Sequence, residues 1–190
     1  MRDRETDSWW SIMRSSAIGG PLDGAELVEL PHGEKTTWAE WRRRHPDTEV
    51  LSVGGKEHEP RNPYDGYFSS DETFRDLEIS DLRLRPKSAI FAFWVDGQPH
   101  AAPHAAFAGG RIFSIDGQER QLALFRPADA PIFASTQAFW IDLETAAASS
   151  PAALLALIRK GPGPGIEPVS GIDTFWYNWI AVNESSALLE

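Results

Sequence analysis

Apolar residues are distributed in two regimes along the chain. From Ser88 onward they come in runs: "SAIFAFWVDGQP" (88–99), "RIFSIDGQERQLALF" (111–125), "APIFAS" (130–135) and "QAFWIDL" (137–143). Runs of four to seven apolar, β-branched and aromatic residues bounded by turn residues predict strands. Asp96-Gly97 and Asp116-Gly117 predict hairpin turns within them, because both central residues of the favoured tight turn need a positive φ. Before Ser88 the pattern is sparser. "AELVEL" (25–30) alternates after the turn "PLDG" and predicts a half-buried strand, and "TEVLSV" (48–53) predicts another.

Helix signals are short and well marked. Thr37-Trp38-Ala39-Glu40 has the capping-box pattern, and the helix it opens has to stop near His45, since a residue before proline avoids the α region. Trp38 and Trp41, three apart, share one face of it. Ser150 as cap, Pro151 at the first position and Gly161 beyond the end delimit a second helix. Residues 54–87 read as loop, too long to be idle unless it packs or binds something. The expected fold class is α+β, mostly antiparallel sheet with short helices, as one unit over 1–190.

One pattern recurs. Thr-x-Trp-x-x-Trp occurs at 36–41 and again at 174–179, and Glu29, Gly33, Thr36, Trp38 and Trp41 match Glu167, Gly171, Thr174, Trp176 and Trp179 at an offset of 138 (176 minus 38). "DRET" (3–6) is echoed by "DLET" (142–145) one residue further on. The same order at nearly the same offset predicts two copies of one unit: a partial first copy over 1–53, the loop 54–87 and a second copy over 88–190. Trp38 and Trp176 are then expected in equivalent, buried positions. Subtracting the offset from Ser88 puts the first copy's sheet about 50 residues before Met1. A start downstream of the true one is therefore expected, with an exposed N-terminal edge near Asp3–Trp10 through which the chain would self-associate.

A net charge of −10 repels phosphate backbones and anionic membranes, so no nucleic-acid partner is expected. Arg42-Arg43-Arg44-His45 suits a helix C-terminus, where the dipole favours cations. Without cysteine there is no disulfide, thiolate metal site or cysteine nucleophile. No apolar run is long enough for a membrane span, and "MRDRETDSWW" lacks the apolar core of a signal peptide. A cytoplasmic location follows by default, an exported one if a true N-terminus lies upstream.

Three groups of residues carry candidate chemistry. The paired tryptophans could stack on sugars, as in a carbohydrate-binding module, but their even spacing favours packing in a core. His100 and His104 are four apart, yet Pro103 between them rules out the helical geometry that would let them share a metal, and His58 between Glu57 and Glu59 adds no defined third ligand. No cofactor is expected. In "RNPYDGY", Arg61, Asn62, Tyr64, Asp65 and Tyr67 concentrate hydrogen-bonding and aromatic groups on a turn-rich loop, which suits contact with a small-molecule ligand. No nucleophile motif occurs, and the prolines of "GPGPG" remove amides that a phosphate loop needs.

The stretches "MRDRETDSWW", "GGPLDGAELVELP", "TTWAEWRRRHPDTEVLS", "RNPYDGY" and "RLRPKSAIFAFWVDGQPHAAP" together resemble the bacterial and archaeal family known as domain of unknown function 3179, and the resemblance resumes at "GIEPVSGIDTFWYNW". The family carries no assigned reaction. The resemblance implies a Cys-containing stretch, in some members selenocysteine, upstream of the D-x-E-T segment, hence thiol or selenol chemistry in complete members. On this resemblance the chain is expected to begin downstream of that stretch. The expected function is therefore a non-catalytic structural or ligand-binding one, with an oxidoreductase-like protein completed by an upstream redox segment as the alternative.

Overall fold

The computed structural model describes residues 1–28, 35–52, 54–55, 64–132, 134–147, 150–158 and 163–190. A small hairpin opens the chain, β1 (Trp9–Ser11) with β2 (Ser16–Gly19), followed by α1 (Trp38–Arg44) and α2 (Asp65–Ser69). Then come β3 (Ala89–Val95), β4 (Gln98–Pro103), β5 (Arg111–Ser114), β6 (Arg120–Phe125) and β7 (Gln137–Asp142). The short helices α3 (Leu143–Ala147) and α4 (Pro151–Ile158) precede β8 (Ile166–Pro168), β9 (Gly171–Phe175), α5 (Trp176–Ile180) and β10 (Ala187–Leu188).

Two four-stranded sheets hold the core, in the orders β10-β4-β3-β9 and β5-β6-β7-β8. Every pairing within them is antiparallel except β10 on β4. The fold is α+β. Phe91, Phe93 and Val95 of β3 pack with Leu122 and Leu124 of β6 and Ala138 of β7, so the sheets lie face to face. Ile90 and Ala92, on the opposite face of β3, pack against Trp176, Trp179 and Ile180 of α5. On the far side of the second sheet, Ala123, Phe139 and Ile141 pack against Leu154 of α4. With a sheet on one face and a helix on the other, the central strands are buried on both sides. That is why they read as continuous apolar runs and not as alternation.

The hairpin turn of β3–β4 lies at Asp96-Gly97, with φ of 48° and 77°, the two positive values the tight turn demands. Gly171 is required for a different reason. A Cβ there would fall on the Phe91 ring and sit 2.7 Å from the Ala92 carbonyl oxygen, so only glycine lets β9 approach β3 this closely.

Several expectations fail. "AELVEL" is not a strand over its described residues 25–28; Glu26 makes one bridge to Ser16, and Leu27 and Val28 face solvent. Residues 48–52 of "TEVLSV" are irregular, with Leu51 94 % exposed, and the described residues of 130–135 form loop. Leu27, Val28 and Leu51 cover no neighbouring layer, and alternation alone does not make a strand without a surface to cover. Trp38 is a further correction. Both α1 and α5 start at the first tryptophan of the repeated motif, but Trp176 is fully buried while Trp38 is 50 % exposed. Trp176 has β3 and β4 beneath it, whereas α1 has no buried residue. The cap on α1 forms as expected: the Thr37 hydroxyl accepts from the Glu40 amide at 3.2 Å. The Glu40 carboxylate turns to Arg43 and Arg44.

Candidate functional site

Where β4 leaves the first sheet, it carries His104 into a 3-10 turn (His104–Phe107) and toward β9. Asp173 stands in the middle of β9 opposite Phe91, a residue that faces the second sheet, and paired residues in a sheet point to the same side. Its carboxylate therefore enters the gap between the sheets. There it accepts from His104 Nε2 at 2.8 Å, the Thr136 amide at 2.7 Å and the Thr136 hydroxyl at 2.5 Å. Arg126, at the end of β6, lies 3.7 Å away and donates to the carbonyls of Ala134 and Pro131. The side chains of Asp173 and Arg126 are 7 % and 4 % exposed. Burial pushes the Arg126 guanidinium below its ordinary value, and the Asp173 carboxylate opposes that shift.

With three donors on its two oxygens and the Arg126 guanidinium beside it, the Asp173 carboxylate is held in a structural role. It fixes the orientation of the His104 ring. His104 also lines a cavity of about 240 Å³ together with Arg126, Ala130 and Ile132.

Asp173 borders a second cavity, of about 270 Å³, lined by Lys35, Tyr67, Phe68, Ile132, Thr174, Phe175 and Asn178. Tyr67, Phe68 and Phe175 form its aromatic wall, with ring centroids 5.4 to 6.2 Å apart. Tyr67 is fixed from three directions. Its hydroxyl meets that of Tyr177 at 2.6 Å, and the Lys87 ammonium lies 3.9 Å from its ring centroid. Lys87 also caps the end of α2, donating to the carbonyls of Tyr67 and, at 2.6 Å, Ser70. Burial, then the hydrogen bond to Tyr177, pushes the Tyr67 phenol above its ordinary value, so it stays protonated at neutral pH. Lys35 is held at the mouth by its backbone: its amide donates to the Ser135 hydroxyl at 2.6 Å, and its carbonyl accepts from the Ser135 amide at 2.9 Å.

Of the sequence candidates, Tyr67 lines the aromatic cavity. Tyr64 is 62 % exposed and Asp65 faces solvent in the first turn of α2. Arg61 and Asn62 lie outside the described residues. His100 and His104 diverge: His100 stacks on Phe93 at 5.5 Å while His104 turns to Asp173. Asp173, Arg126 and Thr136 were not singled out by spacing. The available signal was an aspartate placed inside the apolar strand "GIDTF", where an acidic side chain needs a buried partner.

A family model described as "Protein of unknown function (DUF3179)" matches residues 1–186. The chain belongs to the DUF3179 family. No curated protein and no solved structure matches this DUF3179 chain. Among its described residues, no helix is long and apolar enough to cross a membrane, and no three His, Asp or Glu side chains gather to hold a metal ion.

Proposed function

We propose that this DUF3179 chain binds a small molecule in the cavity between α2, β9 and Ile132. The observation that carries the reading is the aromatic wall of Tyr67, Phe68 and Phe175, set beside polar groups from Lys35, Thr174 and Asn178. Apolar walls with a few fixed polar groups are the usual composition of ligand sites. Tyr67 sits in α2, within the segment whose residue types suit ligand contact. Its three restraints, from Tyr177, Lys87 and the neighbouring rings, keep it in place before anything binds, which lowers the ordering cost of binding. The buried Asp173–His104–Arg126–Thr136 cluster supports the floor by tying β9 to the ends of β4 and β6 and the start of β7.

Saturation-transfer NMR on the full chain against a library of one-ring compounds tests this. Hits should compete for a single site and weaken in Phe68→Ala and Asn178→Ala variants of unchanged melting temperature. An empty screen, or hits that neither variant affects, would refute the reading.

A further inference from the structure

We propose that the occupant of the aromatic cavity is a one-ring organic anion, a planar carboxylate whose acid group meets Lys35 while its ring lies against Phe68 and Phe175. This rests on the reading that the cavity binds a small molecule, and it adds the sign of the ligand's charge and its size.

Among the described residues that line it, two carry ionised side chains, Lys35 and Asp173. The charge of Asp173 is already met: Arg126 is 3.7 Å away, and His104 and Thr136 donate to both of its oxygens. No carboxylate pairs with Lys35 among the described residues, in a chain that carries 28 acidic residues against 18 Lys and Arg. Among the described lining residues, Lys35 thus carries the one uncompensated charge, at a backbone position pinned by two hydrogen bonds to Ser135.

An aromatic wall would by itself suit a cation, since ring faces attract positive charge. Here that role is filled. The Lys87 ammonium lies 3.9 Å from the Tyr67 ring centroid and 5.7 Å from that of Phe175. A second cation would be repelled by both Lys87 and Lys35, whereas an anion is drawn to both. Size sets the other limit. At about 270 Å³ the cavity is smaller than the roughly 300–1,000 Å³ typical of sites for drug-sized ligands, so a single ring with one short substituent fits. The carboxamide of Asn178, whose Nδ2 lies 3.4 Å from Thr174 Oγ1, offers the ligand a further hydrogen bond.

The test compares three probes of one shape, benzoate, benzamide and benzylammonium, by isothermal titration and ligand-observed NMR with the full chain at neutral pH. Benzoate should bind about fivefold or more tighter than benzamide, as expected for a charge-assisted contact, and benzylammonium weakest. In Lys35→Gln, an exposed substitution with a melting temperature to match the parent, benzoate should fall to the level of benzamide. Phe68→Ala should weaken both. If benzamide binds as well as benzoate, or Lys35→Gln leaves benzoate unchanged, the anion inference is overturned while the cavity reading stands. If none of the three binds, both are overturned.

Discussion

Replacing Asp173 by asparagine removes one charge while keeping the shape, and the structure says what that costs. The amide can still serve its neighbours: its oxygen accepts from the Thr136 amide, and its nitrogen faces His104 and the Thr136 hydroxyl, which then act as acceptors. What it cannot replace is the countercharge of Arg126, 4 % exposed and 3.7 Å away. Removing one partner of a buried ion pair costs about 3–5 kcal/mol. Because Arg126 keeps its two carbonyl acceptors, the lower end, about 3 kcal/mol, is expected. With a urea slope of about 2 kcal/mol per molar, the unfolding midpoint should fall by about 1.5 M. Tryptophan fluorescence reads the transition directly through the buried Trp176 and Trp179. The decisive comparison is the double variant Asp173→Asn/Arg126→Met. Taking away the stranded cation should make it more stable than Asp173→Asn alone. A loss below about 1 kcal/mol for the single variant, or a double variant less stable than the single, would refute the account.

Three further outcomes follow from the packing. Trp176→Ala should cost about 3–5 kcal/mol, because it empties a fully buried site against β3 and β4, whereas Trp38→Ala should change stability by less than about 1 kcal/mol; denaturant titration of both checks the contrast. The Asp3 carboxyl is held well below the usual carboxylate range, first by the Trp10 indole N–H and then by the Thr6 amide and hydroxyl. A depressed folded value means stabilisation that is full above the unfolded value of about 4 and is lost as pH falls below it, so an acid titration should shift Trp10 indole resonances in parent but not in Asp3→Asn. Trp9, 53 % exposed on β1 of the two-stranded hairpin, should mediate weak self-association; sedimentation velocity should show a concentration dependence that Trp9→Ser removes.

Legibility in the sequence followed the range of the physics. The Asp96-Gly97 turn, the Thr37 and Ser150 caps and the strand over 137–142 depend on neighbours within a few residues, and all could be read. "AELVEL" and "TEVLSV" have the right local pattern, but a strand also needs a sheet to join, and only tertiary structure supplies one. Tyr67 stands out in the sequence because aromatic and turn residues cluster in one short segment, and the structure puts it in the wall of the aromatic cavity. The Asp173 cluster was not: its partners lie 37 and 69 residues away, on strand ends that meet only when the sheets pack. The burial of Trp176 and the exposure of Trp38 show the same limit, since one motif has opposite fates according to what lies beneath it.

The sheet order also dictates an order of events. Strands β5 to β8, residues 111–168, are inserted between β4 and β9, which join the same sheet. The β5-β6-β7 meander closes through short local connections and can form early. Pairing β9 with β3 closes a loop that holds this insertion, and the entropy of that closure is recovered by contacts across it, which favours a late β9. Asp173, Thr174 and Phe175 all arrive with β9, so the cavity is among the last things folding completes. A molecule that binds only the completed cavity would therefore slow unfolding and leave the folding rate unchanged.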